Sequence, residues 1–230
     1  MLVPERRRGF EILDDPSTDP EIRERSLRDV RRSNTVFGGM AAVLSELSRV
    51  LPALGTSASL LDVGTGLADI PHAARARARA LGVTLTTFGV DEAETLARVT
   101  EPLLDGSVCA DARRLPFADG SIDVVTCSQL LHHFSDVEIP AVLRELDRVA
   151  SRFVIVSDLR RSWLAACGFW LVAWPFGFHP VTRHDGFVSV LRGFTAEELS
   201  VHVQSSTGRR AQVRRHIGFR VTASWSKTTP

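Results

Sequence analysis

Two glycines beside an acidic strand are the residues of this sequence best placed to hold a cofactor. The run Leu60–Val63 is apolar apart from Asp62, and it leads directly into the turn at Gly64 and Gly66. Glycine lets the backbone turn tightly and approach a ligand without a Cβ in the way. A helix predicted to begin near Leu67 would point its free N–H groups and positive dipole end at that ligand. The pattern predicts a nucleotide-type cofactor site.

Position 69 separates the cofactor classes that such a turn can serve. A dinucleotide-binding turn carries a third glycine at this point, whereas this chain has Asp69. A carboxylate beside two phosphates is electrostatically unfavourable, but a cofactor with a positive centre tolerates it better. This favours S-adenosylmethionine, which carries a sulfonium and an ammonium group. Taken without the rest of the sequence, the two glycines have an alternative interpretation: they could serve only the packing of the strand against the helix, with no cofactor bound.

Two more acids follow predicted strands further along the chain. Thr84 to Val90 predicts a buried strand ending in Asp91, where a carboxylate can accept hydrogen bonds from both ribose hydroxyls. Asp111 follows another strand end and precedes a loop that contains Pro116 and Gly120. This order of motifs resembles the class I S-adenosylmethionine-dependent methyltransferases over residues 58–160.

The resemblance implies a role for each residue that matches a family motif. Asp62 and the glycine turn would hold the methionine end, Asp91 the ribose, and Asp111 with the backbone N–H of Ala112 the adenine. The backbone after the fourth strand would contact the methionine moiety. The complete predicted cofactor site comprises Asp62, Gly64, Thr65, Gly66, Asp69, Asp91, Glu92, Asp111, Ala112, Ser128, Gln129 and Leu130. Strand-end acids that only cap turns or helices are the alternative interpretation.

The alternation of strand and helix over 57–160 predicts an α/β fold with a parallel sheet and right-handed crossovers. The resemblance implies a Rossmann-like, seven-stranded sheet, mostly parallel, with an antiparallel hairpin at its C-terminal edge. We predict one domain over 1–230: a helical N-terminal extension (1–56), a cofactor-binding core (57–160), a substrate lid (161–194) and a C-terminal helix and hairpin (195–230). The predicted helices and strands outside the glycine turn are 20–33, 38–51, Phe153–Leu159, a capped helix from Thr195, Ala211–Ile217 and Phe219–Trp225.

The segment Trp163 to Phe178 is expected to select the acceptor. It is sixteen residues long, has no charged side chain and contains three of the four tryptophans. It is shorter than the roughly 20 residues that span a bilayer, and Pro175 interrupts it. It has three interpretations: a lid lining an apolar acceptor pocket, which is favoured, a core or homodimer-interface helix, or a peripheral membrane patch. All three predict an apolar or aromatic neighbourhood for the small-molecule acceptor.

The general base, if the reaction uses one, is predicted by elimination. The sequence has no tyrosine, and its only lysine is Lys227 near the C-terminus. A histidine or a carboxylate therefore remains, and the candidates are His133, after the fourth strand, and His184 with its neighbour Asp185. A structural role as a cap or hydrogen-bonded support is the alternative for each. No metal-ligand spacing is found among the histidines, cysteines and acids.

Composition bounds the remaining classes. A net charge of +1 gives no footprint for nucleic acid. The odd number of cysteines and the lack of an apolar run after the basic N-terminus predict a cytoplasmic protein with reduced thiols. A looser similarity to ubiquinone and menaquinone biosynthesis methyltransferases comes from Asp62 to Gly66 and the aromatic C-terminal part.

The predicted function is therefore methyl transfer from S-adenosylmethionine to oxygen or carbon of a phenolic, polyketide-like or quinone-like acceptor in bacterial secondary metabolism. Two other classes stay open. One is a catalytically inactive protein that binds the cofactor and acts through a partner. The other, less favoured because of Asp69, is an NAD-dependent oxidoreductase.

Overall fold

A seven-stranded sheet forms the centre of the molecule. The computed structural model describes residues 3–7, 9–15 and 17–227, and within them the strand order is β3-β2-β1-β4-β5-β7-β6. The strands are β1 Ser57–Val63, β2 Thr84–Asp91, β3 Gly106–Cys109, β4 Ile122–Ser128, β5 Ala150–Leu159, β6 Gln212–His216 and β7 Arg220–Ser226. β7 runs antiparallel to both β5 and β6, and the other neighbouring strands described pair in parallel. The topology confirms the predicted Rossmann-like fold with its C-terminal hairpin.

Helices cover both faces of the sheet. They are α1 Pro20–Val36, α2 Gly39–Val50, α3 Asp69–Ala80, α4 Glu94–Thr100, α5 Ile139–Val149, α6 Trp163–Ala173, α7 Pro180–Arg192 and α8 Ala196–Thr207. Two short 3₁₀ turns, Ile12–Asp14 and Leu131–His133, lie beside the candidate site. Thr195 and Glu198 form the predicted capping box at the start of α8. The run from Asp14 to Pro20 is rich in residues that favour turns. Within it Asp19 caps α1, and Pro16 lies outside the described residues.

The core has one layer on each side of the sheet. Successive strand side chains point to opposite faces, so Leu60 packs with the α2–α3 layer and Leu61 with the α5 layer, and both are fully buried. α5 contributes Leu143 and Leu146 to the second layer. Because both faces are covered, the central strands are apolar almost without interruption. The carboxyl ends of these strands lie at one edge of the sheet, and the residues there are polar.

The N-terminal part of the chain is packed onto this sheet. α2 buries Val43 and Leu47 in the same layer as Val124 of β4 and Ile155 of β5. Among the described residues, no single helix is long and apolar enough to cross a membrane. Glu21–Val36 and Gly39–Leu54 meet the length and composition criteria only together, as a pair bent by 54°. The burial of α2 is that of a core helix.

The segment predicted as a lid forms the helix pair α6–α7. Ala165 and Ala166 of α6 pack in a small core with Val190 and Leu191 of α7. Gly186 permits this close approach, since a Cβ there would lie 2.1 Å from the ring of Phe169. The two helices therefore form one packed unit between β5 and α8.

Several element boundaries differ from the predicted ones for local reasons. α3 begins at Asp69 rather than near Leu67, because Ala68 takes a left-handed conformation (φ 60°) and extends the turn. β5 begins three residues earlier than predicted, at Ala150. Gly218 and Phe219 also have positive φ (77° and 55°) and turn the chain between β6 and β7. The last two strands are thus slightly offset from the predicted runs.

Candidate active site

The glycine turn forms an open concavity between β1 and α3. Gly64 has φ +75°, and a Cβ there would lie 2.9 Å from the side chain of Leu130. Gly66 has φ +54°, but a Cβ there would meet nothing within 4 Å, so the space in front of it is free for a ligand. The N–H groups of Gly64 and Thr65 donate to the carbonyl of Val90, at 2.8 and 3.0 Å, and fix the turn against β2. The turn therefore leaves open space in front of Gly66, where the sequence predicts a ligand.

Buried polar groups surround this concavity. The hydroxyl of Ser128 is buried and has no hydrogen-bond partner among the described residues. Buried polar atoms normally have a partner, so this hydroxyl is available to a ligand. The hydroxyl of Thr65 is buried beside Asp62, and its interaction with that carboxyl acts to lower the pKa of Asp62. Asp62 is also buried and accepts from the hydroxyl of Thr126 at 2.7 Å. Burial raises the pKa of Asp62 to about 7, and a cationic group placed beside it would favour its ionised form. These features fit the ammonium end of S-adenosylmethionine.

The acids predicted for ribose and adenine lie at the ends of the next strands. Asp91 accepts from the N–H of Gly66 and from the N–H of Ala93, each at 3.0 Å and each on a different oxygen. Ionised carboxylates have about four acceptor sites, so positions remain for ribose hydroxyls. Glu92 is exposed beside it, and its carbonyl accepts from the thiol of Cys109 at 3.3 Å. The strand order therefore brings Asp91 next to the glycine turn.

Asp111 is engaged by a neighbouring arginine. The guanidinium of Arg113 donates to both carboxylate oxygens of Asp111, at 3.0 and 2.8 Å, and the Arg113 N–H donates at 2.8 Å. The side-chain hydrogen bond from Arg113 lowers the pKa of Asp111 below its ordinary value. Ala112 is buried behind it. An adenine amino group would share Asp111 with Arg113.

Asp69 has a partner that the sequence did not reveal. Its carboxylate lies 2.8 Å from the Nε atom of Arg31 on α1. Burial raises the pKa of Asp69, and the charge of Arg31 opposes that effect. Much of the negative field expected at this position is therefore offset by Arg31. The inference against a dinucleotide cofactor therefore depends more on the missing third glycine than on the charge of Asp69.

An apolar cavity of about 470 Å³ opens beside the end of β4, within the size range of small-molecule sites. We call it the acceptor cavity. Its walls come from residues 11–14, from α1, from the α6–α7 pair and from residues 218–220, and they close on Gln129, His132 and His133. Gln129 joins two of these walls, because its amide donates to Asn34 at 2.6 Å and accepts from Arg220 at 2.8 Å. Gln129 therefore belongs both to the predicted cofactor site and to the cavity.

His133 is held at the cavity wall by acidic residues. Its Nδ1 atom lies 3.3 Å from Asp14 and 4.0 Å from Glu11. The pKa of His133 is raised: burial opposes protonation, but the hydrogen bond that His133 donates to Asp14 and the charges of Glu11 and Asp14 outweigh burial. Arg192 in turn donates to Glu11 at 2.6 Å and to Asp14 at 3.1 Å. The result is a histidine with fixed orientation and raised basicity.

The chain has recognisable relatives over its central part. Residues 61–152 match a family model described as a methyltransferase domain. A demethylmenaquinone methyltransferase from Thermotoga maritima is 35% identical over 95 residues, which are 40% of this chain and 39% of that protein. The chain thus matches well under half the length of this curated relative.

Solved structures extend the similarity to most of the chain. A SAM-dependent methyltransferase from Aquifex aeolicus has a TM-score of 0.55 at 16% identity and covers 79% of this chain and 89% of its own. The plantazolicin methyltransferase BpumL, solved with SAH, has a TM-score of 0.67 at 12% identity, with 92% of both chains covered. At such low identities the likeness concerns the fold.

The matched residues, 61–152, run from β1 to the start of β5 and so contain the glycine turn and the strand-end acids of the predicted cofactor site. The matches agree with the predicted enzyme class and with S-adenosylmethionine as the predicted cofactor. The roles predicted for individual residues stay predictions, and the geometry described above shows where each residue lies.

A second histidine, His132, also lines the cavity. Its Nδ1 atom lies 2.7 Å from Asp158 at the end of β5, which also accepts from the His132 N–H at 3.1 Å. Burial would raise the pKa of Asp158, but the His132 charge and hydrogen bond outweigh it and lower that pKa. The pair could have been found from the sequence, since β4 and β5 are parallel neighbours and their ends lie side by side.

His184 lies elsewhere. Its Nδ1 atom does contact Asp185, at 2.9 Å, but its side chain is 50% exposed, and His184 is absent from the described residues that line the acceptor cavity. Asp185 does line the cavity, yet its two oxygens accept from the N–H groups of Ile12 and Leu13, at 2.8 and 3.0 Å. Asp185 therefore anchors the N-terminal segment, and the structure does not bring His184 to the acceptor cavity.

One group of side chains in the described part of the chain has the spacing of a metal site. Ligand atoms of Glu11, His132 and His133 lie within 4.8 Å of one another. The guanidinium of Arg192, 2.6 Å from Glu11, already balances the carboxylate and would oppose a cation. This cluster is better suited to hold and orient an imidazole than to bind an ion.

Proposed function

We propose that the protein transfers a methyl group from S-adenosylmethionine to an oxygen or carbon atom of a small apolar acceptor, phenolic, polyketide-like or quinone-like. The observation that carries this proposal is the position of the acceptor cavity. It begins at Gln129, directly after the end of β4, where the methionine end of the cofactor is expected. A mostly apolar wall with a few polar groups at one end suits a ring that carries a single reactive hydroxyl or an activated carbon.

The residues around the cavity align the substrate with the methyl group and supply a general base. Bound S-adenosylmethionine supplies an electrophilic methyl carbon, and as the acceptor atom bonds to it the carbon–sulfur bond breaks and S-adenosylhomocysteine leaves. His133 in its neutral form takes the proton that the acceptor loses, while Asp14 fixes the ring and stabilises the imidazolium that results. Alignment in such a reaction can contribute up to about 7–11 kcal/mol.

The walls also keep water away from the reacting atoms. Phe37, Phe169 and Val172 all line the cavity. The rings of Phe37 and Phe169 touch edge to face, with centroids 5.6 Å apart, and so form one continuous aromatic wall. An acceptor lying against this wall would be desolvated on that side, which supports an aromatic or apolar substrate.

Calorimetric titrations with S-adenosylhomocysteine and with NADH test the cofactor. We expect S-adenosylhomocysteine to bind and NADH to show no saturable heat. Tight NADH binding without a response to S-adenosylhomocysteine would support the oxidoreductase alternative and overturn the proposal.

Incubation with methyl-labelled S-adenosylmethionine and a panel of phenols, quinones and fatty acids tests the acceptor. Label should appear in a ring-containing product, and mass spectrometry after mild hydrolysis separates O-methyl from C-methyl products. A protein that binds S-adenosylhomocysteine but labels no acceptor in the panel would support the inactive partner protein instead.

We further propose that the enzyme works in a bacterial cytoplasm on a product of secondary metabolism. All three cysteines lie in the described part of the chain and are free thiols there, which supports a reducing compartment. Cell fractionation of the source organism with an antibody tests the location.

A further inference from the structure

Helix α6 has two apolar faces. One lines the acceptor cavity and packs on α7, through Ala165, Phe169 and Val172 among others. The opposite side faces solvent. We call it the outer α6 face, and it consists of Trp163 (39% exposed), Leu164 (58%), Trp170 (47%), Leu171 (62%) and Trp174 (58%). Large exposed apolar patches on soluble proteins mark interaction sites.

The spacing makes this a continuous stripe. The three tryptophans follow one another at i, i+7 and i+11, so they lie along one line of the helix, and the two leucines lie beside that line. No charged residue occurs from 163 to 178. A solvent-facing helix normally carries charged residues on its outer side, and this one carries indole rings instead.

Arginines surround the stripe. The guanidinium of Arg183 lies 3.8 Å from the ring centroid of Trp174, and that of Arg7 lies 5.9 Å from the ring of Trp163. Arg32 lies 5.3 Å from the ring of Phe176, just beyond the helix. Three acids lie near the start of α7. Asp29 accepts from the N–H of His179 at 2.8 Å and from the hydroxyl of Thr182, and Glu21 and Glu24 border the surface beside His179 together with Arg25 and Arg28. The rim of the apolar face is therefore mostly cationic.

We propose that the outer α6 face docks the protein onto an anionic lipid bilayer. Tryptophan rings favour the boundary between headgroups and acyl chains, and arginines around them are attracted to negative lipids. A second copy of the chain fits less well, because a twofold interface would bring each arginine rim against its own copy. The charge pattern thus favours a lipid surface over a dimer.

Leu164 links this surface to the acceptor cavity, since it lines the cavity and is also part of the outer face. A lipophilic acceptor could therefore pass from the bilayer into the cavity along α6. This last step rests on the proposed function, whereas docking itself does not.

Co-sedimentation with vesicles tests docking without any turnover. We use vesicles of phosphatidylcholine alone and of phosphatidylcholine with phosphatidylglycerol, at low and at high salt. Binding should be stronger to the anionic vesicles and weaker at high salt. Tryptophan emission should shift to the blue on binding, because three of the four tryptophans lie on the outer face and Trp225 is only 4% exposed. An absence of binding to both vesicle types would overturn the proposal.

A double variant, Trp170→Glu with Leu171→Glu, assigns the binding to this face. It should reduce vesicle affinity by at least about tenfold, since it removes two apolar anchors and adds two charges. The matched control is Val137→Glu with Val201→Glu, which charges two exposed apolar residues (88% and 65%) outside the face and should bind vesicles as the wild type does. Equal losses in both variants would overturn the assignment.

Two further measurements separate this proposal from its competitors. Calorimetry with S-adenosylhomocysteine should give the same affinity for the double variant as for the wild type, so a failure of vesicle binding is distinct from a failure of the proposed function. Light scattering should give a monomer mass for both proteins. A dimer that dissociates in the double variant would assign the outer α6 face to a second copy and overturn lipid docking.

Discussion

The cofactor end and the acceptor cavity are built in different ways. At the cofactor end, Asp62, Asp91 and Ser128 stand at the carboxyl ends of three strands of one parallel sheet. Around the cavity, the walls come from an N-terminal segment, α1, the α6–α7 pair and the turn between β6 and β7. The strand order of the sheet alone brings the residues of the cofactor end together, whereas the acceptor cavity depends on how distant segments pack. Changes at the two ends should therefore separate cofactor binding from acceptor chemistry.

The largest expected effect belongs to the cavity. His133→Gln removes the proton acceptor while keeping a polar side chain of similar length. We expect kcat to fall by about 10²–10⁴-fold for a hydroxyl acceptor, with the affinity for S-adenosylhomocysteine unchanged. Steady-state rates and calorimetry on the same preparation check both parts.

The matched control for this change is His184→Gln, because His184 is exposed and outside the cavity-lining residues. It should keep the wild-type rate within a factor of about two. A loss of rate in the His184 variant with a normal His133 variant would reverse the assignment of the base.

The pH profile of the rate gives an independent check on the role of His133. The raised pKa of His133 means that the rate rises with pH through a value above the ordinary 6.5, and Asp14→Asn should lower that value.

The next effect belongs to the cofactor end. Asp91→Ala removes the carboxylate expected to bind the ribose, and it also removes the acceptor of the Gly66 N–H. We expect the affinity for S-adenosylhomocysteine to weaken by about 1–3 kcal/mol. Calorimetry measures this loss directly. Asp105→Ala is the control: Asp105 also accepts from a β2 backbone N–H, that of Thr87 at 2.7 Å, but it lies outside the predicted site. An unchanged affinity for the Asp91 variant would show that the ribose binds elsewhere.

The same contrast explains what could be predicted from the sequence. The positions of Asp62, Gly64 and Asp91 depend on local order, since each follows a strand whose apolar pattern is visible in the sequence. The fold class follows from that pattern together with the resemblance. Strand order then brings these residues together, because the ends of parallel neighbours meet at one edge.

The cavity and the contact of α1 with the cofactor end could not be predicted in the same way, because both join residues that are distant in the sequence. Arg31 pairs with Asp69 from a separate helix, and Asp14 and Glu11 reach His133 from the N-terminal segment. Sequence adjacency suggested His184 with Asp185, and the two do touch, but the Asp185 carboxylate is taken up by backbone N–H groups of residues 12 and 13. Only the folded chain shows which carboxylate serves which histidine.

A smaller difference, that between two alanine variants, tests whether the glycine at position 64 is needed for its backbone angle and for the space beside it. Gly64→Ala combines a positive φ with a contact of 2.9 Å to Leu130, whereas Gly82→Ala has a similar φ (77°) with nothing within 4 Å. The backbone term should cost about 1–2 kcal/mol in each variant, and the contact should add about 1 kcal/mol or more at Gly64. Urea unfolding measures both free energies. Equal losses would mean that Leu130 moves aside freely.

The smallest effect concerns a proton at the cofactor end. Burial raises the pKa of Asp62 from 3.8 to about 7, so between these values the folded state holds a proton that the unfolded state has lost. The free energy of unfolding contributed by this group therefore falls as pH rises through that window. A cationic ammonium beside Asp62 would favour the ionised form, so binding of S-adenosylhomocysteine should release a proton near neutral pH and strengthen as pH rises through about 7.

Calorimetry in two buffers of different ionisation enthalpy counts the released proton, and Asp62→Asn should abolish the release. Proton uptake on binding, or the same release from the Asn variant, would contradict the placement of the ammonium. This pH dependence appears in affinity, whereas that of His133 appears in turnover. A variant that shifts the pH dependence of affinity and leaves that of turnover unchanged, or the reverse, would therefore show that Asp62 and His133 titrate independently. We expect this result if Asp62 contacts the cofactor and His133 contacts the acceptor.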